Sequence, residues 1–267
     1  IKAPGYLIGA ILAPFYWVPF LTNKLQNNIY NQQTKSELKF KKILFICPYP
    51  EGVQAGQRLK YEQHFEIFSN NGFDITVSSF MDLNFWEIIY KKGFTLGKIV
   101  GTFNGYLKRL SNLFELRNYD VIYIHMWVTP FGTGLFEYFF RKLSRKIIYD
   151  IEDNILMLKK SEINPIIFFL KSRKKIEYLL KNSDHIITSA PDLNDRCISL
   201  TNNNNCTYIC ASINKNRFNN YKIHKNKKRT IIGWTGTFSS IQYLNKLIPT
   251  FKKLSKLRNF KLRIIGN

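Results

Sequence analysis

The stretch Arg229-Thr-Ile-Ile-Gly-Trp-Thr-Gly-Thr-Phe-Ser-Ser240 decides the fold that this sequence predicts. Its first half, Thr230 to Trp234, predicts a buried strand that runs into a turn of small residues. A helix is expected to begin at the last serines of the stretch and to reach about Leu257. A second strand, Lys261 to Ile265, follows. Strand, small-residue turn, helix and strand form the first half of a nucleotide-binding α/β unit.

The turn in this stretch is a candidate phosphate-binding site. A helix N-terminus offers unpaired N–H groups and a positive dipole end to an anion. Gly236 would let the backbone approach a ligand closely, and Thr237 adds a hydroxyl donor. We therefore predict that Gly236, Thr237 and Phe238 bind substrate. The alternative is a tight strand-to-helix turn in which Ser239 or Ser240 caps the helix.

Composition bounds the class of protein. The 267 residues allow one large or two modest domains, and 45% hydrophobic residues with 22 Phe exclude a globally disordered chain. The net charge of +22 fits nucleic acid, an anionic membrane surface or phosphorylated substrates as partners. The charge fits an amino-acid usage biased by AT-rich coding equally well, because Lys, Asn, Ile, Phe and Tyr are abundant together. The chain starts at Ile1 and stops just after a predicted strand, so we expect a fragment.

The cysteines give no sign of a metal or redox motif. Cys47, Cys197, Cys206 and Cys210 include no CxxC pair, and the last two fall on one face of a predicted strand. We expect reduced, buried thiols in a cytosolic protein.

Residues 1–40 stand apart from the rest of the sequence. Gly5 to Leu21 is almost entirely apolar and is interrupted by prolines, and it is short for a bilayer span. Its aromatic residues favour a membrane-interface segment, and the tail of another domain is the equal alternative. The polar stretch Thr22 to Lys41 predicts a linker.

Between Lys42 and Cys210, short apolar strands alternate with helical segments. This alternation predicts an α/β fold with a doubly wound parallel sheet. The predicted strands are 43–47, 72–79, 119–125, 146–150, 185–188 and 205–210, and the predicted helices are 57–70, 83–92, 96–116, 131–143, 165–182 and one that starts at Pro191.

A basic stretch, Ala211 to Lys228, contains no acidic residue and breaks the alternation. We predict a domain boundary there, with one domain at residues 41–214 and a linker at residues 215–229. Residues 230–267 would be the first βαβ unit of a second domain.

Four stretches, taken in order, resemble the GT-B glycosyltransferases of the group 1, family 4 type. The likeness covers about residues 41–267 and implies a Rossmann-like N-terminal domain followed by a truncated second Rossmann-like domain. The stretches are Lys42-Ile-Leu-Phe-Ile-Cys-Pro-Tyr-Pro50 with Gln57-Arg58 and Glu62-Gln63; Asp120-Val-Ile-Tyr-Ile-His125 with Pro130-Phe-Gly132 and Glu137; Ile147-Ile-Tyr-Asp-Ile-Glu-Asp153; and Ile232-Gly-Trp-Thr-Gly-Thr237 with Tyr243-Leu244 and Leu262-Arg-Ile-Ile-Gly266.

The resemblance implies transfer of a sugar from a nucleotide-sugar donor to an acceptor hydroxyl, with a saccharide or a lipid-linked sugar as acceptor. The donor pyrophosphate would lie against Gly236-Thr237, and no metal or other cofactor would be needed. On this basis we expect Gly236→Val to weaken donor binding while the fold survives. The family's paired-glutamate motif would lie beyond Asn267, so we expect this chain alone to be inactive.

Three carboxylates, Asp150, Glu152 and Asp153, follow the fourth predicted strand. Because ligands bind beyond the carboxyl ends of parallel strands, we predict Asp150 and Asp153 as catalytic residues and Glu152 as a substrate-binding residue. The alternative is a cluster that caps a helix or solvates a loop.

Three further residues are predicted to bind substrate. Gly56 would let the loop after the first strand close, although an ordinary turn glycine is the simpler explanation. Arg58 is predicted to begin a helix, where the dipole disfavours a cation, and this favours phosphate contact over a surface role. His125 ends a strand and would line the cleft or pack in the core.

Other functions remain open at this point. A basic nucleic-acid-binding protein would account for the charge, but no such motif is present and the basic residues are spread over many elements. A GT-B sugar-nucleotide epimerase or a non-catalytic sugar-nucleotide-binding subunit would share the architecture. The predicted location is the cytoplasm, with peripheral attachment to the anionic inner face of the membrane through Gly5 to Leu21 and the Lys-rich surface.

Overall fold

The structure is a computed structural model that describes residues 41–152, 173–201, 205–213, 230–236 and 240–266. The chain divides into two compact units between Ile213 and Asn214, and each unit is described by itself. The functions assigned above to the two domains stay predictions. Several predicted features lie outside the described residues: Gly5 to Leu21, the linker 215–229, Asp153, Thr237 and Phe238.

Six parallel strands form the sheet of the first unit, in the order β2-β1-β3-β4-β5-β6. The central strands are uninterrupted apolar runs, as expected where helices cover both faces of a sheet. The strands are β1 (Lys41–Cys47), β2 (Phe73–Ser79), β3 (Val121–His125), β4 (Ile147–Ile151), β5 (His185–Thr188) and β6 (Cys206–Tyr208).

Helices connect these strands. Two of the short helices have a side-chain N-cap: Gln54 accepts from the Gln57 N–H at 2.6 Å, and Asp82 accepts from the Phe85 N–H at 2.7 Å. The helices are α1 (Ala55–Lys60), α2 (Phe65–Asn70), α3 (Leu83–Ile89), α4 (Thr95–Glu115), α5 (Leu135–Leu143), α6 (Arg173–Asn182) and α7 (Pro191–Thr201), with 3₁₀ turns at Glu62–His64 and Leu116–Asn118.

Both faces of the sheet are buried. In β1, Leu44 and Ile46 belong to the core on one face, and Phe45 and Cys47 belong to the core on the other. The strand period of two sends neighbouring side chains to opposite faces, so a continuous apolar strand supplies two cores at once.

The winding of the sheet reverses at β1. This strand pairs with β2 on one side and with β3 on the other, although about 40 residues separate β2 from β3. The carboxyl ends of β1 and β3 therefore flank a topological switch point, where open α/β sheets bind their ligands.

Helix α4 packs against the unit through glycines rather than through large apolar side chains. Gly101 and Gly105 are buried, and a Cβ added to them would lie 2.5 Å from the Phe85 ring and 2.5 Å from the Phe80 ring, respectively. At the exposed Gly97 an added Cβ would lie 2.8 Å from Ile88. The helix backbone thus lies directly against large side chains that come before it in the chain.

Arg109, further along the same face of α4, is completely buried. Its guanidinium donates to the carbonyls of Val128 (2.8 Å), Ser78 (3.1 Å) and Cys47 (2.9 Å), to the Ser78 hydroxyl (3.1 Å) and to the Asn112 side-chain oxygen (3.2 Å). Burial lowers the pKa of Arg109 to about 10, so the side chain stays charged at neutral pH. The residue ties the carboxyl ends of β1 and β2 to the loop that follows β3.

Three predicted elements of the first unit differ from the structure. The predicted helix 57–70 is broken at Tyr61, which leaves helical backbone (φ −138°) and packs its ring on Phe45. The predicted helix 131–143 begins only at residue 135, because Gly134 before it has φ +99°. The predicted strand 205–210 ends at Tyr208. None of the four cysteines forms a disulfide, but Cys210 is exposed rather than buried.

The second unit contains a two-stranded parallel sheet and one helix among its described residues. They are β7 (Thr230–Gly236), α8 (Ile241–Leu257) and β8 (Phe260–Gly266). A strand forms at Thr230 to Trp234 as predicted. The prediction that it is buried is wrong, because its residues are exposed or half-buried and Trp234 is half-buried. Within the described part of this unit, a single helix cannot cover both faces of the pair.

Among the described residues, no helix is long and apolar enough to cross a membrane.

We predict that Arg109→Ala destabilises the first unit by about 3 kcal/mol or more, since it leaves buried carbonyls without donors and opens a cavity. The measurement is the urea midpoint followed by circular dichroism. Arg117→Ala is the matched control, because Arg117 is exposed and should change the free energy of unfolding by at most about 0.5 kcal/mol. Equal losses for the two variants would contradict the structural role assigned to Arg109.

Candidate functional site

The candidate site lies where β3 and β4 end. The parallel register places His125 beside Asp150, and Glu152 follows directly after β4. Helix α1, which starts after the loop that leaves β1, packs over these ends and brings Lys60 and Gly56 to them. Four of the predicted site residues, Gly56, His125, Asp150 and Glu152, are therefore neighbours.

Asp150 is the centre of this cluster and is completely buried. One carboxylate oxygen forms a short ion pair with the Lys60 ammonium group. The other accepts a hydrogen bond from the Tyr123 hydroxyl at 2.7 Å and lies 3.1 Å from His125 Nδ1. Both oxygens are engaged, so the described geometry favours Asp150 as an anchor, and its predicted catalytic role stays a prediction.

The charge of Asp150 is stabilised by its neighbours. Burial alone would raise the pKa of this carboxyl, but the Lys60 ammonium and the hydrogen bond with His125 outweigh it and lower the pKa to about 2. Asp150 is therefore ionised throughout the physiological range. Burial and the adjacent carboxylate raise the pKa of the Tyr123 hydroxyl far above its ordinary value, so Tyr123 is a donor to Asp150.

Asp150 fixes the orientation of His125. An ionised carboxylate can only accept, so the proton of the pair lies on Nδ1. The opposite nitrogen, Nε2, is buried, has no hydrogen-bond partner among the described residues and lies 3.6 Å from Glu152 Oε2. The Tyr61 ring packs edge-on against the imidazole, with centroids 5.2 Å apart. One ring nitrogen is thus held, and the other points toward Glu152.

The backbone turns sharply after His125. Met126 has φ +63°, in the left-handed region that a non-glycine residue rarely adopts. Its N–H donates to the Asp150 carbonyl at 2.9 Å, and its own carbonyl accepts from the Tyr149 hydroxyl at 2.9 Å. These bonds hold the strained residue in place. The sequence offered no signal for this conformation.

Glu152 forms the accessible edge of the site. Its side chain is 28% exposed, whereas that of His125 is fully buried. The carboxylate lies against Gly56, where an added Cβ would come within 2.6 Å of Oε2 and 2.7 Å of Oε1. The Ser189 hydroxyl bonds to the Glu152 carbonyl and secures the backbone. Gly56 is therefore required for the close approach of Glu152, which gives it a more specific role than that of a turn glycine.

The loop between β1 and α1 is held by Gln57 and Glu62, which carry part of the family resemblance but were given no role from the sequence. The Gln57 side-chain amide accepts from the Tyr49 N–H and donates to the Tyr49 carbonyl, both at 3.1 Å, and it also donates to the Glu62 carboxylate at 3.0 Å. Glu62 also accepts from the Gly52 N–H at 3.0 Å. Burial raises the pKa of Glu62 in spite of these hydrogen bonds. The network fixes the start of α1 and therefore the position of Gly56.

Lys60 is the most consequential residue that sequence reasoning missed. It lies on the buried face of α1 together with Gln57, and next to the buried Tyr61. A lysine within the apolar face of an amphipathic helix breaks the binary pattern. A charged residue in that position needs a buried counter-charge, and this was the available signal.

A second buried charge cluster holds the loop that follows β3. Glu137 on α5 accepts from the Thr129 N–H at 3.3 Å and from its hydroxyl at 3.1 Å, and the buried Lys175 bonds to the Thr129 carbonyl. The loop that starts at His125 is thus fixed at a second point.

The structure does not support the reasoning applied to Arg58. The helix begins at Ala55, so Arg58 lies in its last turn, where the dipole favours a cation. The Arg58 side chain is exposed. The argument for a phosphate contact at Arg58 therefore fails.

Gly236 is the last residue of β7 and belongs to the second unit. A Cβ added there would lie 2.5 Å from the Ser240 hydroxyl and 2.6 Å from the Trp234 ring. A valine there must displace both side chains, so we expect Gly236→Val to disturb the end of β7 as well as donor binding. The role of Gly236 in substrate binding stays a prediction.

No group of three or more His, Cys, Asp or Glu residues that could hold a metal ion occurs in the described part of the chain.

The comparisons with known proteins bear on the fold. No protein-family model matches the sequence. No curated protein is similar to it in sequence. Among solved structures, the chain is similar to the catalytic domain of starch synthase IV from Arabidopsis thaliana bound to ADP and acarbose, with a TM-score of 0.53 and 9% sequence identity. The similarity covers 85% of this chain and 68% of that one.

This likeness confirms the predicted fold class. The chain has an α/β fold with a six-stranded parallel sheet flanked by helices, and it matches the Rossmann-like architecture of a GT-B glycosyltransferase. At 9% identity the comparison shows the fold alone.

We predict that acid destabilises the protein through Asp150. Its folded pKa of about 2 lies below its ordinary value of 3.8, so its contribution is complete above about pH 4 and is lost as the pH falls toward 2. The contribution is roughly 2 kcal/mol at 1.36 kcal/mol per pKa unit. The measurement is the free energy of unfolding between pH 2 and pH 6.

Asp150→Asn should remove this acid-dependent loss. It should also cost about 3–5 kcal/mol at neutral pH, because Lys60 is left buried without a counter-charge. Asp195→Asn, at an exposed position, is the control and should keep the wild-type pH dependence. An Asp150→Asn protein with wild-type stability and wild-type pH dependence would contradict the assigned ion pair.

Proposed function

We propose that the protein is a glycosyltransferase that moves a sugar from a nucleotide-sugar donor to an acceptor hydroxyl. The observation that carries the proposal is the structural match to a starch synthase catalytic domain that binds ADP and acarbose. Nucleotide and saccharide are the two ligand classes that such a reaction requires. The buried cluster at the carboxyl ends of β3 and β4, next to the switch point, adds support, because α/β sheets bind ligands beyond the carboxyl ends of their strands.

The finer assignment rests on the sequence resemblance. We propose the group 1, family 4 type, with a saccharide or lipid-linked acceptor and a role in the synthesis of cell-surface polysaccharides or glycolipids. The donor pyrophosphate would bind at Gly236-Thr237, and the reaction would need no cofactor. The cytoplasm, with peripheral attachment to the inner face of the membrane, is the proposed location.

The geometry supports a role for each residue of the cluster. Glu152, which is partly exposed, is suited to accept hydrogen bonds from sugar hydroxyls. His125 places its buried Nε2 3.6 Å from Glu152 Oε2 and so lies behind that carboxylate, and its predicted contact with substrate stays a prediction. Asp150 and Lys60 hold the imidazole in one orientation, and this preorganisation reduces the cost of positioning the substrate. Asp153 stays a candidate catalytic residue.

We predict that Glu152→Gln lowers kcat by about 100-fold, since the amide keeps the shape of the side chain beside Gly56 but loses the charge. Transfer is measured as acceptor-dependent release of nucleoside diphosphate from a panel of nucleotide sugars. The assay uses the full-length protein. Glu66→Gln, at an exposed position on α2, is the matched control and should keep wild-type rates.

Equal rates for the Glu152→Gln and Glu66→Gln variants would remove Glu152 from the site. Turnover of a sugar nucleotide without any acceptor would support the epimerase in place of the transferase. Salt-sensitive binding of arbitrary duplexes, without turnover, would support the nucleic-acid-binding protein.

A further inference from the structure

Helix α4 exposes a continuous row of large apolar side chains. We call this row the α4 stripe and define it as Leu96, Val100, Phe103, Leu107, Leu110 and Phe114. Its members are spaced alternately four and three residues apart, so they form one narrow line along the helix. At about 1.5 Å per residue the stripe is roughly 27 Å long.

The stripe faces away from the unit. The opposite side of α4, which carries Gly101, Gly105, Arg109 and Asn112, is the buried side. The polarity of the helix is thus inverted, with its small and polar residues inside and its large apolar residues outside. Because the glycine side is held against Phe80 and Phe85, α4 cannot turn the stripe inward without losing that packing.

The stripe is far more exposed than isolated surface apolar residues would be. Phe114 is 82% exposed, Leu96 is 79% exposed and Phe103 is 61% exposed. Tyr90 and Phe94, just before the helix, extend the same kind of surface. Soluble proteins rarely leave a contiguous apolar surface of this length uncovered unless it binds a partner.

An apolar groove of about 750 Å³ opens beside the stripe. Ile99 and Phe103 belong to its lining, together with Tyr106 and Phe131. The surface therefore offers both a flat apolar edge and a recess that can receive hydrocarbon.

The charges around the stripe indicate what covers it. From Ile88 to Phe114 the sequence contains no Asp or Glu, and Lys91, Lys92 and Lys108 are exposed there. Glu87 and Glu115 flank this span, so two copies of the surface would bring together more lysines than carboxylates, on chains that each carry a net charge of +22. An anionic lipid surface, in contrast, supplies the complementary charge as well as an apolar interior.

We propose that the α4 stripe docks onto the surface of an anionic lipid bilayer. The apolar side chains of the stripe enter the boundary between headgroups and acyl chains, and the neighbouring lysines contact lipid phosphates. The glycine side of α4 stays packed on the protein, so the helix lies along the membrane surface. The proposal concerns binding alone and does not depend on the proposed transferase activity.

The test is flotation of the full chain with vesicles of phosphatidylglycerol and phosphatidylcholine in equal parts, and with vesicles of phosphatidylcholine alone. The wild type should bind the anionic vesicles, and binding should weaken as salt is raised. The triple variant Leu96→Ser/Phe103→Ser/Phe114→Ser should bind at least about tenfold more weakly than the wild type, because three large apolar side chains are lost from the surface. Its circular dichroism spectrum and urea midpoint should match the wild type, since the three side chains are exposed.

A matched triple variant, Leu135→Ser/Leu200→Ser/Leu257→Ser, removes exposed leucines elsewhere and should bind as the wild type does. Every variant keeps Gly5 to Leu21, so a difference between the two triple variants belongs to the α4 stripe. Wild-type binding by the stripe variant, or equal binding to neutral and anionic vesicles, would overturn the proposal. A dimer in sedimentation velocity that the stripe variant abolishes, without vesicle binding, would assign the stripe to a second copy instead.

Discussion

The pairing of one buried carboxylate organises the site end of the sheet. A charge removed from water costs several kcal/mol unless it is paired and hydrogen-bonded, so Asp150 must be met by its partners wherever the fold places it. Its three partners come from two elements: Lys60 from α1, and Tyr123 and His125 from β3. The requirement fixes α1 over the ends of β3 and β4. The approach of Gly56 to Glu152 and the orientation of His125 follow from this arrangement.

A buried cation, Arg109, holds the strand ends on the other side of the switch point. Arg109 meets no carboxylate at hydrogen-bonding distance among the described residues, and five hydrogen bonds to neutral oxygens stabilise its charge instead. Its acceptors lie at the ends of β1 and β2 and in the loop after β3. Buried charges of this kind contribute little net stability but penalise alternative packings, because any shift leaves a charge or a carbonyl unpaired. The strand ends beside the crevice are thus held in one arrangement.

The sequence was sufficient for the sheet, because uninterrupted apolar runs such as Ile43 to Cys47 identify strands buried on both faces. It also placed His125 and Asp150 at the ends of two predicted strands, but that these strands are neighbours in the sheet came only from the structure. The Lys60 to Asp150 pair was out of reach, because 90 residues separate its members and no local pattern links them. Helix α4 was located correctly, but apolar periodicity alone would bury its wrong side, since its glycines make the internal contact and its large residues face outward.

The position of β1 between β2 and β3 has a consequence for synthesis of the chain. β1 can pair with β2 as soon as Ser79 is made, but its other edge must wait for Val121 to His125. At about 5–20 residues per second, the roughly 75 residues between β1 and β3 take several seconds to emerge from the ribosome. During that interval a central strand rich in Ile, Leu and Phe has an open edge, which is a template for pairing with another nascent chain. The connectivity that puts β1 between β2 and β3 therefore leaves this central strand half-paired while the chain is being made.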